Sequence, residues 1–164
     1  MSTVDRNFTK IGSVRTKSVG ETEAVGAKLA SVLVAGDRIA LSGDLGGGKT
    51  AFVRGVVRGL GSPHVREVAS PTFALHHRYP DGRLLVDHCD LYRLRPPADL
   101  AAEGLDLVTE NPAGVLLVEW AERGAEGFGA FDLRVDFSYA GEESRILKFS
   151  AKPSVFERFR GVVS

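Results

Sequence analysis

Residues 43–50 read Gly-Asp-Leu-Gly-Gly-Gly-Lys-Thr and match the pattern G-x-x-x-x-G-K-[ST], which is typical of phosphate-binding loops. The glycines allow the backbone to curl until successive N–H groups point into one concavity. Lys49 can reach the β- and γ-phosphates as a mobile point charge, and the Thr50 hydroxyl can complete the shell of a Mg²⁺ ion. The motif therefore predicts binding of a nucleoside triphosphate together with magnesium.

Two acidic residues stand where apolar, strand-like runs come to an end. Asp90 closes the run 84–90, and Glu119 closes the run 114–119. Ligands of open α/β sheets bind at the carboxyl ends of the strands, and a phosphate loop needs a nearby carboxylate to hold Mg²⁺ or to orient water. Each residue could instead be a solvated acid at a strand end. With both present beside the loop, we predict a metal or water role, without separating Asp90 from Glu119.

A third segment, Ser-Pro-Thr-Phe at residues 70–73, allows two interpretations. It is either a plain proline turn or a mobile segment whose Thr72 hydroxyl senses the γ-phosphate and Mg²⁺, as switch loops do. Trp120, which follows Glu119, either packs at the edge of the core or braces the site.

Three histidines and the single cysteine lie close together in the sequence, but their spacing does not fit a zinc site. His76, His77, His88 and Cys89 lack the two separated pairs of ligands that structural zinc sites use. Alternation along a strand also sends His76 and His77 to opposite faces. We interpret the histidines as structural or exposed, and Cys89 as a small buried hydrophobe.

The elements that must position these residues follow from the hydrophobic spacing. Residues 38–42 predict a buried strand, and residues 49–60 predict a helix that Gly61 terminates. The phosphate loop thus joins a strand to a helix N-terminus, where unpaired N–H groups and the helix dipole favour an anion.

The remaining elements are predicted from caps, turns and alternation. Ser18 and Glu21 form a capping box that starts a helix running to about residue 34, and residues 1–17 are expected to be loosely ordered apart from a short strand near 10–15. A short turn at 80–83 makes strands 72–79 and 84–90 antiparallel. Further predictions are a helix at 98–103 after Pro96 and Pro97, a buried parallel strand at 114–119, a hairpin of 131–139 with 145–151, and a helix at 153–160.

Length and composition limit the class of protein. The chain has 164 residues, which predicts one domain spanning residues 1–164. Its formal net charge of zero gives no long-range attraction to nucleic acid or anionic lipid. One cysteine and the absence of an apolar stretch near the roughly 20 residues of a membrane span favour a cytoplasmic protein. We predict an α/β, P-loop NTPase-like three-layer fold with a mixed, parallel and antiparallel, central sheet.

Four segments together resemble the TsaE family, small bacterial ATPases of tRNA threonylcarbamoyladenosine (t6A) synthesis. They are the loop 43–50, Ser-Pro-Thr-Phe at 70–73, His-Cys-Asp-Leu-Tyr-Arg at 88–93 and Val-Glu-Trp-Ala-Glu-Arg at 118–123. Their order and spacing are similar to the family's over about residues 18–145. The loop is shared by many NTPases, whereas the other three in combination are specific to this family. The chain departs from the usual family pattern at Gly47, within the phosphate loop, where the change should be harmless and make the loop slightly looser. It also departs at Cys89 and Ala121, which lie away from the predicted chemistry.

The resemblance implies that the chain binds ATP and Mg²⁺ and hydrolyses ATP slowly when alone. It assigns the phosphates to the residues Asp44, Leu45, Gly46, Gly47, Gly48, Lys49, Thr50 and Ala51. Thr50 and Glu119 would bind Mg²⁺, while Asp90 would orient or activate water or help hold the metal. Thr72 would belong to a switch segment, Thr22 would lie near the adenine, and Arg145 in the later hairpin would touch the nucleotide.

The resemblance also implies partners. Family members act with the TsaB–TsaD pair, which transfers the threonylcarbamoyl group to an adenosine beside the tRNA anticodon, so that tRNA is reached through these partners. The sequence contains no clear arginine finger; Arg93, near Asp90, is one candidate, and a partner could supply another. Our hypothesis is that ATP hydrolysis drives release or resetting of the partner complex rather than the transfer itself.

Two other functions remain open from the residues. A small P-loop kinase would have this length and loop, although no arginine-rich lid segment is present to close over an acceptor. A nucleotide-gated binding module would use ATP only to shape a docking surface, without turnover.

Overall fold

A seven-stranded sheet organises the computed structural model, which describes residues 7–44, 46–69, 75–94, 104–105, 113–123 and 128–164. The strands are β1 (Thr9–Thr16), β2 (Arg38–Gly43), β3 (His76–Tyr79), β4 (Val86–Asp90), β5 (Val115–Glu119), β6 (Leu133–Tyr139) and β7 (Arg145–Ala151). The α-helices of the described residues are α1 (Val19–Ala30), α2 (Lys49–Gly59) and α3 (Phe156–Arg160). None of the described helices is both long enough and apolar enough to cross a bilayer.

The centre of the sheet is parallel and its edges are antiparallel. The strand order is β1-β7-β6-β2-β5-β4-β3, in which β2 runs parallel to both β5 and β6, and β4 runs parallel to β5. The pairs β3–β4, β6–β7 and β1–β7 are antiparallel. This arrangement confirms the predicted α/β fold with a mixed sheet, including both hairpins and the buried parallel strand.

Helix α1 begins as predicted but ends earlier than predicted. The Glu21 N–H donates to the Ser18 hydroxyl oxygen at 3.1 Å, and the Glu21 carboxylate accepts from the Lys17 N–H at 2.6 Å. The helix ends at Ala30 rather than near residue 34. The reason is tertiary, because the Arg83 guanidinium binds the carbonyl oxygens of Ala30 and Leu33 at 2.6 and 3.1 Å, satisfying groups that a continuing helix would use itself.

The short strand predicted near residues 10–15 is confirmed, and it extends over residues 9–16. These residues form β1, which pairs with β7 from Thr9↔Ala151 to Thr16↔Arg145. The strand is mostly polar because it lies at the edge of the sheet with much of its surface in solvent, so its hydrophobic signal is weak. Its order depends on the ladder with β7, a partner that is more than a hundred residues away in the chain.

Other boundaries move by a few residues. Strand β4 begins at Val86 and not at residue 84, and β5 begins at Val115. The part of β3 that is described starts at His76. The predicted helix at 98–103 and the predicted strand residues 72–74 lie outside the described residues.

The core has two parts, one on each face of the sheet. The first cluster joins apolar residues of all three helices to the sheet, with Phe52, Leu117 and Phe149 fully buried in it. The second cluster lies on the opposite face and is built from Val118 and Cys89 with residues from the loops. The Cys89 thiol is buried, and burial raises its pKa, which agrees with its interpretation as a small hydrophobe.

Helices α1 and α2 pack so closely that glycine is required where they meet. A Cβ on Gly55 would lie 1.9 Å from the Glu23 carbonyl oxygen, and a Cβ on Gly26 would lie 2.3 Å from that of Phe52. The close contact presses α2, and therefore the loop that precedes it, against the sheet.

Replacing Gly55 with alanine should therefore destabilise the protein by about 2–3 kcal/mol, because backbone atoms must separate to admit the methyl group. Chemical denaturation measures this directly. Gly161→Ala is the matched control, since Gly161 has a helical φ of −65° and nothing within 4 Å of its added Cβ. A Gly55→Ala variant as stable as Gly161→Ala would contradict this account of the helix contact.

Candidate functional site

The phosphate loop has the backbone shape that its glycines permit. Gly43, Gly46 and Gly48 have φ values of 132°, 76° and 99°, in the left-handed region that side chains disfavour. A Cβ on Gly43 would lie 2.3 Å from the Phe137 carbonyl oxygen. Helix α2 starts directly after Gly48, so its first N–H groups face the concavity of the loop.

The Lys49 ammonium group lies over this loop. Its Nζ donates to the carbonyl oxygens of Gly43 and Asp44 at 2.7 and 2.9 Å, and it lies 4.7 Å from the centroid of the Trp120 ring. The residue is only 4% exposed. Burial lowers the pKa of Lys49, and the negative charges of Glu119 and Asp90 oppose that shift.

Thr50 and Glu119 meet beneath the loop. The Thr50 hydroxyl lies 3.4 and 3.3 Å from the two carboxylate oxygens of Glu119, which is 3% exposed at the end of β5. A hydroxyl and a carboxylate at this spacing are hard oxygen ligands of the kind that Mg²⁺ prefers. The two sequence-predicted metal ligands are thus together in the fold.

Asp90 lies beside Glu119 because the strands that carry them are in register. In the parallel pair β4–β5, Asp90 pairs with Glu119, so both side chains point to the same face of the sheet. One Asp90 carboxylate oxygen accepts the Tyr92 N–H at 2.9 Å. Both acids line a cleft of about 340 Å³ together with Gly46, Gly47, Gly48, Lys49, Thr50, Ala51, Arg54 and Trp120.

Trp120 closes one side of this cleft. Its φ of 57° is unusual for a bulky residue and turns the chain sharply after β5. The ring packs on the second core cluster and also faces Lys49. The Arg123 guanidinium lies 5.3 Å from the Trp120 ring centroid and 5.5 Å from that of Tyr92. Trp120 therefore fulfils both roles considered from sequence, packing the core edge and bracing the site.

The β6–β7 hairpin and α1 approach the loop from the other side. Arg145 donates to the Gly46 carbonyl oxygen at 3.2 Å and lies 4.4 Å from the ring centroid of Tyr139. Thr22 is buried, with its hydroxyl 2.8 Å from that of Thr16, and its methyl group would be 3.5 Å from a Cβ on Gly48. Both residues thus adjoin the phosphate loop, but neither lines the cleft that the acids share.

His88 is a residue of the site that was not assigned there from the sequence. The Nε2 atom of His88 lies 2.5 Å from a carboxylate oxygen of Glu119. Strand alternation contains the signal, because His88 and Asp90 are two residues apart on β4 and must share a face. The missing information was the register of β4 against β5, which pairs His88 with Leu117.

Comparison with known proteins agrees with the resemblance seen in the motifs. Residues 16–147 match the family model "Threonylcarbamoyl adenosine biosynthesis protein TsaE". The chain belongs to the TsaE family. It is 36% identical over 143 residues to a tRNA threonylcarbamoyladenosine biosynthesis protein TsaE of Bacillus subtilis, and the aligned region covers 87% of each of the two chains.

Two further proteins extend the comparison. A TsaE protein of Streptomyces coelicolor is 46% identical over 102 residues, covering 60% of this chain and 66% of that protein. The crystal structure of YdiB from Bacillus subtilis superposes with a TM-score of 0.73 at 30% identity, covering 94% of this chain and 95% of that one. The fold and the family therefore agree across nearly the whole chain.

Not every residue that the TsaE resemblance implicated can be located. Leu45 and Thr72 lie outside the described residues, so the switch interpretation of residues 70–73 stays a prediction. Arg93 is described and exposed, but it is not among the residues that line the cleft. Arg54 does line it, although the sequence did not indicate this, and its guanidinium is bound to Glu23 at 2.9 Å.

The face of the sheet opposite Glu119 also carries a buried carboxylate, that of Asp87. Asp87 accepts from Arg78 at 2.8 Å and lies 2.7 Å from His76 Nε2. His76 and His77 do point to opposite faces, as predicted, because His77 contacts Tyr79 on the other side. Burial alone would raise the pKa of Asp87, but the hydrogen bonds from His76 and Arg78 outweigh it, and the pKa is below its ordinary value of 3.8.

A carboxylate whose pKa is lowered by folding stabilises the native state above its unfolded pKa. That stabilisation is lost as the pH falls through the folded pKa. Asp87→Asn should therefore cost about 2 kcal/mol near pH 7, and the difference from wild type should shrink below about pH 4. Urea denaturation at a series of pH values measures it. Glu157→Gln, which changes a 78%-exposed side chain, is the control. A difference in unfolding free energy between Asp87→Asn and wild type that stayed the same at all pH values would contradict the lowered pKa of Asp87.

Proposed function

We propose that this protein is a Mg²⁺-dependent ATPase that supports tRNA N6-threonylcarbamoyladenosine modification. The observation that carries the proposal is the meeting of Thr50 and Glu119 beneath a phosphate loop, with Asp90 in register beside them. The family supports the pathway, since its model and the matched relatives are named for threonylcarbamoyladenosine biosynthesis.

The residues present fit a nucleotide and a metal. Positive-φ glycines and the start of α2 form a concave cradle, and a Cβ on Gly47 would lie 2.9 Å from the Asp44 carbonyl oxygen. Lys49 binds only backbone carbonyls at hydrogen-bond distance among the described residues, so its ammonium group can turn towards phosphate oxygens. Thr50 and Glu119 would hold Mg²⁺, which would neutralise charge on the phosphates.

The chain's own groups have separate roles in this proposal. The loop N–H groups and Lys49 hold the β- and γ-phosphates and stabilise the charge that develops on them. Asp90 lines the same cleft at 8% exposure and is available to orient the attacking water. Trp120 covers one wall of the cleft and limits the access of other water to it.

The arginines suggest why a partner would be needed. Of the arginines in the described part of the chain, only Arg54 lines the cleft, and its guanidinium is bound to Glu23 and to the Val68 carbonyl oxygen. An arginine finger contributes several orders of magnitude to phosphoryl transfer. We propose that the protein alone turns over slowly and that TsaB- and TsaD-type partners accelerate it, with hydrolysis resetting their complex.

Removal of the phosphate-binding lysine should abolish the cellular function. In cells depleted of this protein, mass spectrometry of tRNA nucleosides should show loss of threonylcarbamoyladenosine. Wild type should restore it and Lys49→Ala should not, because the variant lacks the charge that holds the phosphates. Lys148→Ala, at an exposed position on β7, is the matched control and should restore modification fully. Full restoration by Lys49→Ala would refute the proposal.

Substitutions at the two carboxylates distinguish an ATPase from a binding module. Asp90→Asn should lower ATP hydrolysis by about 100-fold or more, while nucleotide affinity changes by only a few-fold. Glu119→Gln should lower hydrolysis as much, and it should weaken nucleotide binding by about tenfold or more when Mg²⁺ is present, because a metal ligand is lost, but by only a few-fold when Mg²⁺ is absent. Phosphate release without any added acceptor, together with calorimetric binding, provides both measurements and also excludes a kinase. Asp81→Asn, in the β3–β4 turn, serves as the isosteric control.

Two outcomes would favour the alternatives. If both variants bind ATP and sustain tRNA modification at wild-type levels, nucleotide binding alone is the function. If wild type releases phosphate only when a metabolite acceptor is added, the protein is a kinase.

A further inference from the structure

The most deeply buried ionisable group at the site is the imidazole of His88. It is 0% exposed, and its Nε2 lies 2.5 Å from the Glu119 Oε2 atom. Its other ring nitrogen, Nδ1, has no hydrogen-bond partner among the described residues. A buried polar group with one unmet nitrogen costs free energy, so an apolar residue would be the simpler choice if His88 only filled the core.

The contact is determined by the sheet. His88 pairs with Leu117 in the parallel register of β4 and β5, and Glu119 lies two residues further along on the same face. Both strands are central and fully buried, so neither side chain depends on a loop for its position. The imidazole therefore meets the carboxylate from a rigid support.

The geometry also indicates which nitrogen carries the proton. A hydrogen bond between Nε2 and a carboxylate oxygen requires a proton between them, and a proton on Nε2 supplies it. The other neutral tautomer would bury an N–H at Nδ1 without an acceptor and would set the Nε2 lone pair against a carboxylate oxygen. With the proton on Nε2, the only atom of the ring without a partner is the acceptor Nδ1, and this arrangement costs less free energy than a buried N–H without an acceptor.

We propose that His88 is a positioning residue that orients the Glu119 carboxylate towards Thr50 and the metal. With Oε2 held by His88, rotation of the carboxylate is restricted, and the Thr50 hydroxyl lies 3.4 Å from Oε1 and 3.3 Å from Oε2. This inference rests on the proposed function, because it assigns Glu119 as a metal ligand. Residues that hold metal ligands in this way commonly change metal affinity by about 10–100-fold when replaced.

A matched pair of variants separates orientation from packing. In His88→Gln the side-chain amide can place an N–H near the position of Nε2, whereas His88→Met has a similar length and volume but no donor. A role in packing alone predicts that the two variants behave alike. A role in positioning predicts that glutamine rescues the defect that methionine causes.

The test is calorimetric titration of the full chain with a non-hydrolysable ATP analogue, with Mg²⁺ and in the presence of a chelator. Affinity without Mg²⁺ should stay within about threefold of wild type in both variants, because the phosphate loop is unchanged. The gain in affinity on adding Mg²⁺ should fall by about tenfold in His88→Met and by less than threefold in His88→Gln. Steady-state kinetics should show the same order of defects in kcat, and because turnover is slow, KM for the nucleotide with Mg²⁺ should rise in the same order as the calorimetric Kd.

Equal behaviour of the two variants, or a His88→Met variant with the wild-type response to Mg²⁺, would overturn the proposal. If His88→Met does not fold, as thermal unfolding would show, His88→Asn replaces it, since the shorter amide lies on the Nδ1 side of the ring and cannot reach Oε2. A wild-type protein that shows no Mg²⁺ effect and no ATP hydrolysis would instead refute the proposed function itself, so the two failures are distinguishable.

Discussion

A buried ammonium group facing two buried carboxylates is the constraint on which this structure depends. Lys49, Glu119 and Asp90 are almost wholly removed from water, and isolated charges in such a position would be very costly. The ammonium group compensates only one of the two formal negative charges, and the remaining charge is what a divalent cation bound with phosphates would balance. The composition of the site thus favours a ligand that brings both signs of charge, as a magnesium nucleotide does.

The fold brings these charges together through features far from the cleft. The parallel register of β4 and β5 places Asp90 beside Glu119, and the register of β5 with β2 places Glu119 beside the strand that leads into the phosphate loop. The glycine contact between α1 and α2 holds α2 against α1, and Gly43 allows the start of the loop to lie close to the β6 backbone at Phe137. Because strands in a packed sheet shift little, the site is held to a narrow range of geometries without a bound ligand.

His88 provides a further contact that supports the Glu119 carboxylate. Its imidazole contacts Oε2 of Glu119, while the Thr50 hydroxyl lies within 3.4 Å of both carboxylate oxygens. On the cleft side, Trp120 and Lys49 pack against each other, so each functional group has a neighbour that limits its rotation. A site supported in this way on rigid strands is compatible with the proposed ATPase activity, in which a partner would supply only what the cleft lacks.

The sequence by itself determined the phosphate loop, the two strand-end acids and the TsaE family. It also determined the two antiparallel hairpins and the buried parallel strand, because all of these depend on local spacing and on short motifs. It did not determine the end of α1, where the distant Arg83 binds the last carbonyls, or the partner of β1, which is β7 at the other end of the chain. It also left His88 unassigned, although alternation placed it on the face of Asp90. Only the register of two strands separated by more than twenty residues put its imidazole against Glu119, and register is a property of tertiary pairing rather than of local sequence.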